Sequence, residues 1–271
     1  MPLQLQPFNV APRDMGSAFS ARAVNAPLES LDPFIYLVDF WMRAPTFDPH
    51  PHAGFSAITY LFDDSTGAMI NRDSQGDRTV IRPGDLHWTL AGAGIVHDEV
   101  PETDGLVSHG LQIFVNLPAE EKLIAPRAIR VAREAMAVRE GGGMTLKVVF
   151  GRLDGMDTPL GVPGDAALAD LALAPGAAGE IAIGAERNAF VLVIKGDVEI
   201  GGGRLGAGEA AGIEGHEGTL ALRSAAGGRV ALFVGTPLRE PVLMHGPFAM
   251  SNAAQVNDAI HRYQAGGMGR L

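Results

Sequence analysis

Thr79-Val80-Ile81-Arg82-Pro83-Gly84-Asp85-Leu86-His87-Trp88-Thr89-Leu90-Ala91-Gly92-Ala93-Gly94-Ile95-Val96-His97-Asp98-Glu99-Val100 contains three short apolar segments. Thr79 to Ile81, Trp88 to Leu90 and Ile95 to Val100 are strand-sized, and Pro83-Gly84-Asp85 and Gly92-Ala93-Gly94 stand between them as turns. The same rhythm runs upstream through Pro33 to Trp41, Phe55 to Phe62 and Met69-Ile70, the last leading into a turn-rich segment, Asn71 to Gly76. Downstream it continues through Leu111 to Leu117. Short strands at close spacing, punctuated by Gly and Pro, predict an all-β sandwich or barrel.

The 271 residues suffice for one large or two ordinary domains with a buried core. Apolar residues make up 46% and charged residues 19%, the balance of a globular chain. A net charge of −10 disfavours a phosphate backbone as ligand, so no direct nucleic-acid binding is expected. The absence of cysteine removes disulfides, thiolate metal sites and thiol nucleophiles together. The start, Met1-Pro2-Leu3-Gln4, has no basic or long apolar signal, and no window has the roughly 18 apolar residues of a spanning helix. A cytoplasmic protein without membrane association is the expectation.

After Leu117, Pro118-Ala119-Glu120-Glu121-Lys122 reads as the first turn of a short inter-barrel helix with Pro at its first position. A second β-rich half follows, rich in Gly and Ala from Gly161 to Gly235. Its strand candidates are Phe190 to Ile194, Val198 to Ile200, Thr219 to Leu222 and Val230 to Val234, with Lys195-Gly196-Asp197 read as a hairpin turn. Leu205-Gly206-Ala207-Gly208-Glu209 stands where Ile81-Arg82-Pro83-Gly84-Asp85 stands in the first half, the mark of a weak internal duplication. The expected division is a first barrel over 1–125 and a second over 126–271. A C-terminal helix completes the second part, with Asn252 and Gln255 at capping-box spacing, an apolar stripe of Val256, Ile260 and Tyr263, and Gly266-Gly267 as its stop.

The chemistry is carried by His50-Pro51-His52 and His97-Asp98-Glu99. On a strand, residues two apart point to the same side, so two facing strands bring three imidazoles and one carboxylate together. That donor set suits iron and other first-row divalent metals. Pro51 lacks an N–H and suits a sheet edge, at the mouth of a barrel. No phosphate loop, dinucleotide fingerprint or nucleophile elbow is present. His87, His109, His245 and His261 read as structural or exposed rather than catalytic; His109, which precedes a strand, is in addition a candidate for a place near the site. The second half lacks a matching His pair, and its His216 reads as a surface residue.

At these residues the chain resembles the pirin family of the cupin superfamily. The matching segments are Asp32-Pro33-Phe34, Pro49 to Phe55, Arg72-Asp73-Ser74, Pro83-Gly84-Asp85 through Trp88, Ala91 to His97 and Gly110 to Leu117. Glu240-Pro241-Val242 and His245-Gly246-Pro247-Phe248-Ala249-Met250 extend the likeness to the C-terminus. The resemblance implies a bicupin of two antiparallel, jelly-roll β-barrels packed face to face, with metal in the N-terminal one alone. It implies a mononuclear Fe(II) on His50, His52, His97 and Glu99, a set that also accepts Mn, Ni, Cu or Zn. The implied activity is a quercetin 2,3-dioxygenase-type reaction of O2 with a flavonol-like or enolic substrate. In that reaction Glu99 is a ligand or the catalytic base, and Phe47 and Phe55 line the mouth. The alternative function is a non-catalytic, metal-dependent regulator that binds a protein partner; an isomerase or a sugar-binding cupin ranks below both. Two positions depart from the family pattern. Ser56 replaces the usual Glu, which removes a candidate base or ligand-orienting group, and His87 replaces the usual Gln before Trp88. Because two barrels in one chain cover each other's surfaces, a monomer is expected.

Overall fold

The computed structural model describes residues 4–214 and 218–271; His216 lies outside them. Strands in the first half are β1 (Gln4–Asp14), β2 (Phe19–Asn25), β3 (Phe34–Met42), β4 (His50–His52), β5 (Phe55–Leu61), β6 (Met69–Asp73), β7 (Arg78–Ile81), β8 (Leu86–Leu90), β9 (Ile95–Pro101), β10 (Ser108–Asn116) and β11 (Arg127–Val131). The second half has β12 (Ala137–Gly141), β13 (Met144–Leu153), β14 (Met156–Thr158), β15 (Ala166–Leu173), β16 (Ala177–Ile183), β17 (Asn188–Ile200), β18 (Gly203–Gly206), β19 (Ala210–Glu214), β20 (Gly218–Ser224) and β21 (Gly228–Gly235). Two short strands, β22 (Leu243–His245) and β23 (Phe248–Met250), precede the terminal helix, Ala253–Gln264.

Every strand pairing within the two barrels is antiparallel. The first barrel's large sheet runs β1-β2-β3-β10-β5-β8-β11 and faces a small sheet, β4-β9-β6-β7. The second repeats the plan with β12-β13-β15-β21-β17-β19-β1 against β16-β20-β17-β18. Two connections straddle the barrels. Gln4–Phe8 of β1 pairs with β19, whereas Asn9–Asp14 pairs with β2. Conversely β11, just past residue 125, pairs with β8, and β12 with β13.

Alternation along the strands sorts three apolar layers. Val38, Phe40, Met42 and Leu61 fill part of the first interior, and Val191, Leu220 and Leu232 belong to the wholly apolar second one. Between the large sheets, Leu37, Ile58, Tyr60, Trp88 and Leu111 pack against Phe150, Leu168, Phe190 and Phe233. Edge-to-face pairs cross this layer, Phe34 with Phe190 at 5.5 Å and Trp88 with Phe150 at 5.0 Å.

The internal duplication is visible bond by bond. Gly84 N–H donates to Leu61 O, Leu61 N–H to Asp85 O and Asp85 N–H to Arg82 O. Gly208, Val193, Glu209 and Gly206 repeat all three bonds. Gly84 and Gly208 hold φ values of 89° and 87°, a left-handed conformation that a side chain would strain.

Four local expectations are corrected. Lys195-Gly196-Asp197 is not a hairpin turn; β17 runs through it, with a register shift after Val193 as the strand passes from the large sheet to the small one. Asn71 to Asp73 belong to β6 rather than to a loop: Asn71 and Asp73 are buried on one face of the strand, and Arg72 on the other pairs with Asp98. The inter-barrel helix is a single 3-10 turn, Ala119–Glu121, and Pro118 precedes it as cap. In the terminal helix Asn252 Oδ1 accepts from Gln255 N–H, but the buried stripe is Val256 and Ala259, and Tyr263 is exposed.

Candidate metal centre

β4 is the edge strand of the small sheet, where Pro51 leaves no ladder bond unmade, and it pairs with β9 so that His50 lies opposite His97. The two-residue period then turns His50, His52, His97 and Glu99 into the first barrel. The three imidazole centroids form a near-equilateral triangle, at 4.8, 4.9 and 4.8 Å. One ring nitrogen from each lies within 4.8 Å of the others, a group of metal-ligand type. Glu99 lines the same pocket, but its carboxylate is engaged elsewhere: Oε2 accepts a 2.5 Å bond from Thr59 Oγ1, and Oε1 stands 3.7 Å from His87 Nδ1.

The surroundings favour uncharged rings at His52 and His97. Burial pulls His52 down to about 3, helped by His50 and opposed weakly by the Pro247 carbonyl. Burial and the neighbouring histidines hold His97 well below the usual range. A neutral ring presents a lone pair with no proton to displace. His50 Nδ1 lies 2.9 Å from the Asp48 carbonyl and His97 Nδ1 lies 3.2 Å from Asn71 Oδ1, which leaves Nε2 of each ring free. His52 Nδ1 is buried without a hydrogen-bond partner. Burial raises Glu99, against smaller opposing pulls from His87 and Thr59.

In front of the triad lies a pocket of about 190 Å3, walled by Phe19, Tyr36, Phe40, Met42, Phe47 and Phe114. Phe47 stands at its mouth, 41% exposed, edge-on to Phe19. Burial raises the Tyr36 phenol, with Arg13 opposing, so its O–H stays a donor at neutral pH. Phe55 is not at the mouth; it is buried behind His52, with ring centroids 5.0 Å apart.

Three further expectations change. His109 lies on the opposite face of the large sheet, bonded to Asp39 at 2.9 Å and stacked on Trp41, because β10 turns it away from the interior. His87 is fully buried inside the first barrel and neither exposed nor remote from the site. Ser56 shares the strand face of Ile58 and Tyr60, whose side chains lie in the inter-barrel layer, so it does not touch the triad; its Oγ is buried and unpartnered. The sequence reading missed Thr59, Asn71, Asp77 and Gln112, which surround the donors. Polar residues on otherwise apolar strands were the available signal.

Among the described residues the second barrel has no such group, and register shows what stands at the matching positions. Aligned on the Gly84 and Gly208 turns, Met69 opposite Ile81 matches Val198 opposite Leu205. Carried across to β9 and β20, the positions of His97 and Glu99 become Leu220 and Leu222. Those of His50 and His52 become Ile181 and Ile183. All four are buried in the apolar core.

The pirin family model matches residues 17–115, and the model of the pirin C-terminal cupin domain matches residues 168–269. Human pirin is 33% identical over 253 residues, covering 88% of this chain and 84% of its own. The chain belongs to the pirin family. A Pseudomonas aeruginosa relative that carries the provisional name quercetin 2,3-dioxygenase is 33% identical over 263 residues, 90% of each chain. The pirin fold is shared with an Acinetobacter baumannii quercetin 2,3-dioxygenase, TM-score 0.85 at 23% identity, over 98% of this chain and 97% of that one. A bacterial pirin from Escherichia coli in complex with nickel(II) has the same fold, TM-score 0.70 at 22% identity, over 87% and 99% of the two chains. Among the described residues, no helix is long and apolar enough to cross a membrane.

Proposed function

We propose that this chain is a metal-dependent dioxygenase of the quercetin 2,3-dioxygenase type, acting on flavonol-like or related enolic substrates. The observation that carries this reading is a triad of converging imidazoles that opens into an aromatic-walled pocket. The name of the Pseudomonas relative supports it. A regulator without turnover would tolerate a mouth filled by its own chain, whereas this one opens beside Phe47.

The donors fit a first-row ion: two buried imidazoles that favour the uncharged form, His52 and His97, a half-buried one at His50, one buried carboxylate and no thiolate. His50, His52, His97 and Glu99 are the proposed ligands, and Fe(II) is the proposed metal. When bound, the metal would supply Lewis acidity for an enolate oxygen and redox access to O2. Phe40, Phe47 and Phe114 flank a flat aromatic substrate and exclude water. Tyr36 offers a donor to its oxygens. Glu99, held by Thr59 and raised by burial, is the proposed base for the substrate hydroxyl. The overall reaction inserts both atoms of O2 into the heterocycle and releases carbon monoxide.

The test is oxygen uptake by Fe(II)-reconstituted protein given quercetin, beside a His97→Ala control. Uptake by the wild type and a loss of at least about 100-fold in the control are expected. No uptake by wild-type protein holding stoichiometric iron overturns the activity. Full iron occupancy in His97→Ala overturns the ligand set.

A further inference from the structure

Asp77 lies outside the donor set and reaches both ends of it, each through one intermediary. Its Oδ2 accepts from Asn71 Nδ2 at 2.9 Å and faces His87 Nε2 at 3.3 Å; its Oδ1 accepts from Thr79 Oγ1 at 2.8 Å. An ionised carboxylate only accepts, so Asn71 must turn its NH2 toward Asp77 and its carbonyl toward His97. That carbonyl meets His97 Nδ1 at 3.2 Å, which assigns the ring proton to Nδ1 and leaves Nε2 for the pocket. By the same rule His87 gives its Nε2–H to Asp77. Its other edge is thereby seated 3.7 Å from Glu99 Oε1, while Thr59 holds the second oxygen of Glu99.

Asp77 is itself fixed. Its N–H donates to Asp73 Oδ1 at 3.0 Å and its carbonyl accepts from Asp73 N–H at 3.1 Å, closing the turn between β6 and β7. These bonds use main-chain atoms and survive a change of side chain.

We propose, resting on the four-ligand reading above, that Asp77 is a positioning residue for the metal centre. Its single carboxylate sets the His97 tautomer through Asn71 and seats His87 against Glu99. Both arms converge on Oδ2, where an amide could still place its oxygen, so truncation of the side chain to Ala is the change that releases both at once.

The experiment is a Co(II) titration of metal-free full-length protein, followed by its visible ligand-field bands. Asp77→Ala is expected to bind Co(II) roughly 10- to 100-fold more weakly, with shifted bands. Thr79→Val deletes a third bond to the same carboxylate without touching either arm, and is expected to stay within about 2-fold of wild type with unchanged bands. Asp77→Ala at wild-type affinity and spectrum overturns the proposal. So does an equal loss in Thr79→Val, which would mark a generic packing effect. If Asp77→Ala does not fold, Asn71→Ala carries the test: weakened binding supports the His97 arm, and unaltered binding overturns it. Wild-type-like Co(II) binding by His97→Ala would instead sink the ligand set, so the two failures are distinguishable.

Discussion

Lys122 has no exposed surface, yet three chain segments meet on its ammonium. Its Nζ donates to Gly54 O at 2.8 Å, Asn116 Oδ1 at 2.5 Å and Ala249 O at 3.0 Å. No carboxylate shares the site. Burial pulls the group from 10.5 down to about 8, opposed by Glu240. The unfolded chain therefore holds more protons than the folded one between about pH 8 and pH 10.5, and this residue's contribution to stability rises with pH through that window. Lys122→Met is expected to cost about 2–4 kcal/mol at pH 7, because buried acceptors lose their donor. Urea denaturation checks both points: the gap between wild type and variant should widen from pH 8 to pH 10, and a flat or shrinking gap contradicts the assignment. Lys122 also shows what a linear reading misses. It read as part of a helix start, and two of its three partners lie 68 and 127 residues away.

At the scale of elements, the terminal helix belongs spatially to the first barrel although it follows the second in the chain. Val256 and Ala259 pack with Phe248, Met250 and Met268 against Ala53 and Val96, the outer neighbours of His52 and His97. Ala249 N–H donates to Ala53 O at 3.0 Å. The approach is so close that a Cβ on Gly54 would lie 2.1 Å from the Ala249 carbonyl, and Gly54 sits at φ 85°. The segment thus backs the two strands that carry the imidazoles. Val256→Asp puts a charge into this contact and is expected to undock the helix. Amide hydrogen exchange should rise in β4 and β9 while β21 keeps its protection; unchanged exchange in β4 and β9 would mean that the helix does not support them. The helix and its cap were legible because capping and the 3.6-residue period are local. Its buried face was misread at Tyr263 because only the docked partner decides which side of a short stripe is covered.

At the scale of the molecule, a charged cluster closes one end of the layer between the barrels. Arg229 from β21 forms a bidentate pair with Asp170 from β15, bonds Asp64 at 3.0 Å and lies 4.4 Å over the Phe62 ring. Tyr60 of the first barrel donates its O–H to the same Asp170 at 2.6 Å. Burial, then the Asp170 charge, pushes the Tyr60 phenol well above its ordinary value. Asp170→Ala would leave the half-buried Arg229 guanidinium with Asp64 as its bonded partner and the buried Tyr60 phenol without its acceptor, and is expected to cost about 2–4 kcal/mol. With the apolar layer and the shared β1 joining the barrels, the loss should appear as a shift of one cooperative transition. A variant whose barrels melt in two well-separated steps would show that they are not one unit.

The all-β class, the duplicated plan and the three-histidine cluster were determined by the sequence itself. Each rests on short-range periodicity: strands alternate every two residues, turns need Gly and Pro at set offsets, and a His-x-His pair on a strand faces one way. Only the tertiary structure decided what surrounds that cluster. Thr59 on β5, His87 on β8, Asn71 on β6 and Asp77 in the β6–β7 turn meet because two sheets close on each other, and strand order is set by packing rather than by neighbouring residues. The same closure sent Ser56 and His109 to the inter-barrel side and brought His87 inward. It also made Ile181, Ile183, Leu220 and Leu222 the apolar counterparts of the four donor positions, so that one barrel holds the candidate centre and the other only a core.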